Sequence, residues 1–242
     1  MKQLRFFATI SVAAGALLLG SCNSGKDKKA EENKTDSSST KTETTVIAPS
    51  GPTSIMIVRH KVADYAKWKP GYDAHDSARL ASGLHSYVIA RGVEDSNMVL
   101  IAMRMDDVNK AKAFAAMPEL KDVMKKAGVV GPPMIDFLES VMNDTTAIEQ
   151  SIRCMVRHKV KDFDAWKKVY DSHKQTRIDA GLTDRVLAYT NGDNHNVTLV
   201  FAVADLAKAK AFGSSKDLAD KMKEAGVEGP PDMFFYRIVQ KY

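Results

Sequence analysis

Val58-Arg59-His60-Lys61-Val62 returns 98 residues later as Val156-Arg157-His158-Lys159-Val160. The agreement continues outward at the same offset. Trp68, Tyr72, Asp73, His75, Arg79 and Gly83 match Trp166, Tyr170, Asp171, His173, Arg177 and Gly181. Lys110-Ala111-Lys112-Ala113-Phe114 matches Lys208-Ala209-Lys210-Ala211-Phe212, and Gly131-Pro132-Pro133 matches Gly229-Pro230-Pro231. From Val58 to Pro133, 34 of 76 positions are identical without a gap. Two copies of one module account for this, and the module is the unit of the fold.

Each copy reads as β-α-β-β-α-β. In the first, Ser54 to Val62 is a β-branched apolar strand. Asp64 is suited to cap a helix running to about Ser82, and Gly83 supplies the left-handed residue that ends it. Leu84 to Arg91 and Met98 to Met105 form two strands around a polar turn. Asp107 caps a second helical stretch that Pro118 restarts and Gly128 stops. The Pro pair then releases a last strand, Met134 to Val141. This is the order of a ferredoxin-like unit with both helices on one face of an antiparallel sheet. Strands such as Met98-Val99-Leu100-Ile101-Ala102-Met103 are apolar on both faces, so the face without helices needs a cover. The matching face of the other copy is the simplest one. The expected fold is therefore α+β: two tandem ferredoxin-like units, 53–142 and 152–242, packed sheet to sheet around a shared core, with a linker at 143–151. The chain is expected to be a monomer that carries its own pseudo-dimer.

The run His-Lys-Val-x-Asp-Tyr/Phe-x-x-Trp, followed by Tyr-Asp-x-His, Arg-x-x-x-Gly and Ala-Gly-Val-x-Gly-Pro-Pro, resembles the dimeric α/β-barrel superfamily. More narrowly it is similar to the small antibiotic biosynthesis monooxygenase-like proteins. The resemblance spans both repeats. It implies an intrachain dimeric α/β barrel, and it leaves cofactor-free oxygenase, haem-dependent enzyme and binding protein open as functions.

The N-terminus reads as an address. Met1 to Arg5 is positively charged, and Phe6 to Leu19 is an apolar run of signal-peptide length. The sequence Leu19-Gly20-Ser21-Cys22 resembles a bacterial lipobox, which implies a signal peptide at 1–21 and a lipidated Cys22. Residues 22–52 are Ser, Thr, Lys, Glu, Asp and Asn with almost no large apolar side chain, the composition of a tether. A lipid-bearing Cys22 would place the body at the cell envelope. Asn23, rather than Asp, after the cysteine favours the outer membrane, with the body facing the periplasm or the surface. More than one acyl chain anchors durably, at about 0.8 kcal/mol per buried methylene.

The formal charge is +5, with lysines spread along helices beside Asp and Glu. That pattern is a solvated helix face and argues against nucleic acid as a partner. Cys154, the one cysteine of the body, lies in an apolar run and reads as a small buried hydrophobe. No CxxC, HExxH or clustered acidic loop suggests a metal site, and no triad or phosphate loop suggests hydrolysis or phosphoryl transfer.

One pattern points to chemistry. At 100° per residue, Trp68, Tyr72, His75 and Arg79 fall within an arc of about 60° on the first helix, and Trp166, Tyr170, His173 and Arg177 repeat it. Each member has an apolar body and a polar tip, whereas a helix packed on a sheet ordinarily buries Leu, Ile or Val there. The stripe suggests a cleft between helix and sheet for a small aromatic or acidic molecule. His60 and His158, ending the first strands, are placed at its mouth. No cofactor is required by these residues. Haem or a phenol would suit flat walls, an Arg for a carboxylate, and a His as axial ligand or base. On the resemblance, His75 or His173 would be that base. The alternatives are a module whose Trp pair is simply core, and an oxygenase-like enzyme.

Overall fold

The computed structural model describes residues 53–242. The expected signal peptide at 1–21, Cys22 and the expected tether lie outside the described residues. The elements of the first copy are β1 (Ser54–Val62), α1 (Tyr65–Ala74), α2 (Asp76–Ala81), β2 (Leu84–Gly92), β3 (Met98–Met105), α3 (Val108–Ala115), α4 (Pro118–Lys126) and β4 (Val129–Asn143). The second copy contributes β5 (Ile152–Val160), α5 (Phe163–Ser172), α6 (Lys174–Asp179), β6 (Leu182–Thr190), β7 (Asp193–Val203), α7 (Leu206–Gly213), α8 (Lys216–Glu224) and β8 (Val227–Lys241). Each copy is a ferredoxin-like βαββαβ unit with its helical segments broken in two.

The capping chemistry is local and repeats. The Asp64 carboxylate accepts hydrogen bonds from the Ala66 and Lys67 amides, and Asp107, Asp162 and Asp205 cap α3, α5 and α7 in the same way. Pro118 opens α4, where its missing N–H costs nothing. Gly83 and Gly128 adopt φ of 68° and 86°, the left-handed turn that releases each following strand.

Two sequence expectations change. The helix expected from Asp64 to Ser82 breaks at His75, and its counterpart breaks at His173. Pro70 is not the cause, because position 168 is Lys and the second copy breaks at the same place. The shared feature is an arginine: Arg79 Nη1 donates to the Tyr72 carbonyl at 2.7 Å, and Arg177 Nη1 to the Tyr170 carbonyl at 2.6 Å. A guanidinium that engages a carbonyl of the last turn favours ending the helix there. The last strand also runs longer than Met134 to Val141. It starts at Val129, and the Pro pair sits in a bulge where the register with β1 shifts between Arg59 and Lys61.

The eight strands close into one barrel in the order β1-β3-β2-β8-β5-β7-β6-β4. Within each copy the sheet is β4-β1-β3-β2 or β8-β5-β7-β6. The copies join where the far end of β4 pairs with β6 (Leu138 opposite Thr190) and the far end of β8 pairs with β2 (Tyr236 opposite Gly92). Alternation along each strand divides the core into three. On β1, Met56 and Val58 pack under the first copy's helices, while Ile55 and Ile57 point into the barrel. Met155, Leu138, Ala90, Ala188 and Tyr236 meet Ile55 and Ile57 in the lumen, so the lumen core is assembled from both copies. Burying one such Leu or Ile is worth about 1.5–3 kcal/mol, and neither copy can bury them alone.

One end of the lumen is closed by ions. Arg59 Nη2 lies 2.7 Å from Asp232, and Arg157 lies 2.9 Å from Asp136 and 3.4 Å from Asp232. Arg59–Asp232 crosses between the copies, as does Arg157–Asp136. Burial raises the Asp136 carboxyl above its ordinary pKa despite Arg157 and Arg59 beside it.

Candidate functional site

The structure brings the predicted stripe together in each copy. Trp68 and Trp166 are buried at 3% exposure between helix and sheet. Trp68 stacks on Tyr72 with ring centres 5.1 Å apart, and Trp166 stacks on Tyr170 at 5.0 Å. The guanidinium of Arg79 lies 3.7 Å over the Tyr72 ring, and that of Arg177 lies 3.7 Å over the Tyr170 ring. His60 sits 5.6 Å from Trp68, and His158 sits 5.4 Å from Trp166. These two histidines, expected at the mouth, have both ring nitrogens sealed from solvent instead. Position two before the strand end turns the ring inward beneath the tryptophan.

Around each stripe is a cavity. The second copy's is about 90 Å³, walled by Val156, Trp166, Leu199, Phe201 and Met222 among others. The first copy's is about 80 Å³. His75 lines the first cavity with its Nδ1 unpartnered, and His173 lines the second while its Nε2 lies 3.3 Å from Asp217. Cys154 is fully buried in the floor of the second, where burial raises its thiol to about 12. It is inert there.

The arginines are already committed through their Nη atoms. Arg79 bonds the Tyr72 carbonyl and Asp76 at 2.9 Å. Arg177 bonds the Tyr170 carbonyl and forks onto both oxygens of Asp184 at 2.9 and 2.8 Å. Such a bidentate pair leaves little for a ligand carboxylate. The second cleft thus suits an aromatic ligand better than an acidic one, while in the first the buried Arg79 Nε stays unpartnered.

The copies differ at one decisive position. Ser86 in the first corresponds to Asp184 in the second. Tyr72 shares a hydrogen bond with Ser86 Oγ at 2.8 Å, so its hydroxyl is satisfied. Asp184 instead serves Arg177; it stands close enough to the buried Tyr170 hydroxyl to raise its pKa, but the two do not meet in hydrogen-bond geometry. Burial is the chief reason the Tyr170 phenol is held far above its ordinary pKa. Both nitrogens of His60 and of His158 also lack partners, and burial lowers each imidazole to about 4. Both rings are neutral near pH 7, which makes them hydrogen-bond acceptors and weak bases.

For haem, the buried imidazoles of His60 and His158 are poorly placed as axial ligands, because each packs against a tryptophan ring, whereas His75 and His173 line the clefts. Among the described residues no group of three metal-type ligands comes together, and no helix is long and apolar enough to cross a membrane.

The sequence matches no protein-family model and no curated protein. Solved structures do match. One is a candidate monooxygenase from Fusobacterium nucleatum, with a TM-score of 0.52 at 10% identity, covering 78% of this chain and 94% of that one. An anthrone oxidase-like protein has a TM-score of 0.53 at 12% identity, covering 78% and 92%. At such identities the likeness establishes the dimeric α/β-barrel fold, and nothing about activity follows from it.

Proposed function

We propose that this chain is a lipid-anchored small-molecule-binding protein whose second cleft takes a neutral, single-ring aromatic ligand. One observation carries the reading. An apolar cavity with aromatic walls holds three buried polar atoms without partners, the Tyr170 hydroxyl and the two nitrogens of His158. Buried polar groups ordinarily find partners, and leaving one unmade costs about 1–3 kcal/mol. A phenol satisfies both kinds of group, its hydroxyl donating to the imidazole or accepting from the tyrosine while its ring lies against Trp166. The first cleft differs in kind: Tyr72 is already served by Ser86, and its unpartnered buried atoms are the two His60 nitrogens, His75 Nδ1 and Arg79 Nε.

Binding without turnover is favoured over oxygenase chemistry. A general base works best with its pKa near the operating pH. An imidazole held at about 4 withdraws a phenol's proton poorly. Anchoring through Cys22 at the cell envelope and a monomeric state complete the proposal. Every barrel strand is paired on both sides within the chain, which supports the latter.

Calorimetric titration with p-cresol tests the site. Wild-type protein is expected to bind, Tyr170→Phe to weaken binding roughly fivefold through loss of about 1 kcal/mol, and Tyr72→Phe to leave it unchanged. Equal effects of the two substitutions, or no binding of any small phenol, refute the site. Oxygen consumption with a phenol would show an enzyme in place of a binder.

A further inference from the structure

A third space lies inside the barrel rather than under the helices. At the lumen end opposite the ion pairs is a chamber of about 390 Å³, roofed by the linker segment 143–148. Its deeper wall is apolar, including Ile57, Leu100, Leu138 and Val200. Its buried polar side chains include four from the second copy, at positions where the first copy is apolar or uncharged; the first copy contributes the exposed Arg104. At the offset of 98, Ile55 corresponds to Arg153, Tyr87 to Arg185, Leu100 to Thr198 and Leu138 to Tyr236. All four second-copy residues are buried, at 6%, 7%, 2% and 5% exposure. Two buried arginines therefore stand in the second copy where the first has Ile55 and Tyr87.

Their partners differ. Arg185 is neutralised by Asp144 at 2.8 Å and also donates to the Thr146 carbonyl at 2.5 Å. Arg153 has no carboxylate among the described residues. Its Nη1 donates to the carbonyls of Gln150 at 2.5 Å and Ile152 at 3.0 Å, and its side chain lines the chamber. Tyr236, buried and within electrostatic reach of Arg153, lines the chamber with it. Arg104 and Lys241 also line the chamber, and Asp144 is its one carboxylate. A buried guanidinium without a counter-charge is costly, and a guanidinium fork matches a carboxylate in two parallel bonds.

We propose that this chamber binds an amphipathic monocarboxylate, its head on Arg153 and Tyr236 and its apolar body in the lumen. The site is separate from the helix–sheet clefts and does not depend on the reading given for them. The anionic head meets the fork near the linker, where water is displaced last, and the chain of the ligand lies between the two sheets.

Sodium decanoate is the probe, with 1-decanol as its uncharged counterpart and acetate as head alone. Calorimetry on the wild-type protein is expected to show decanoate binding well above that of acetate and decanol. Arg153→Ile, which installs the residue of the sibling copy, is expected to weaken decanoate at least tenfold and to change decanol less than threefold. Should that variant fail to fold, Arg153→Lys and Tyr236→Phe report on the same contacts and are each expected to weaken decanoate severalfold. A crystal soaked with 10-bromodecanoate is expected to place bromine in the lumen. Absence of decanoate binding to wild type, binding unchanged in Arg153→Ile or in both milder variants, or bromine in a helix–sheet cleft each overturns the proposal.

Discussion

Lowering the pH from 7 to 4.5 is expected to remove about 4–5 kcal/mol of folding stability through His60 and His158 alone. Burial holds each folded-state imidazole at about 4, whereas the unfolded chain restores the ordinary 6.5. Between those values the unfolded state binds the extra protons, so stability falls as the pH falls and is fully present only above 6.5. At pH 4.5 the difference amounts to about 2–3 kcal/mol per histidine. Two such groups together approach a slope of two protons. Urea titrations across this range measure it directly. Carboxylates in the ion pairs also titrate in acid, so the comparison is with His60→Phe/His158→Phe, whose profile is expected to be much flatter. An equally steep profile in the double variant would mean that the imidazoles are not sealed beneath the tryptophans.

Trp166→Ala is expected to cost about 3–5 kcal/mol, the range for removing a large aromatic side chain from a core. Trp166 is buried at 3% exposure, stacked on Tyr170, and in ring contact with both His158 and Phe163. Its loss opens a void between helix and sheet that α5, tied at one end by the Asp162 cap and at the other by Arg177, is poorly placed to fill. For a body of this size the melting temperature should fall on the order of 10 °C. Binding of p-cresol should be lost with it. Trp68→Ala is expected to destabilise comparably while sparing the second cleft. A loss under 1 kcal/mol for Trp166→Ala would show that the indole is not a core anchor.

The repeat made the architecture readable, because identical residues at a constant offset report a duplicated module before any propensity is considered. The aspartate caps and the left-handed glycines were readable for the same reason, each being a local hydrogen-bond or backbone requirement. Other features were not. The breaks at His75 and His173 follow from Arg79 and Arg177 reaching back to a carbonyl seven residues earlier, which periodicity does not register. The exchange of strand ends between copies depends on closure of the barrel. The stripe was found because its members are identical in both copies. The lumen arginines carry no repeat signal, because they stand where the copies diverge: Ile55 against Arg153 and Tyr87 against Arg185, as do Leu138 against Tyr236 and, in the clefts, Ser86 against Asp184. In a duplicated barrel, shared residues hold the scaffold and differing ones separate the sites.

All of this rests on two sheets that each leave an apolar lumen face for the other to cover. The most direct measurement is to produce residues 53–142 alone and follow folding and mass by circular dichroism and light scattering at micromolar concentration. The expected result is a chain that is unfolded or self-associated. A stable, cooperatively folded monomer would contradict the barrel and everything placed inside it.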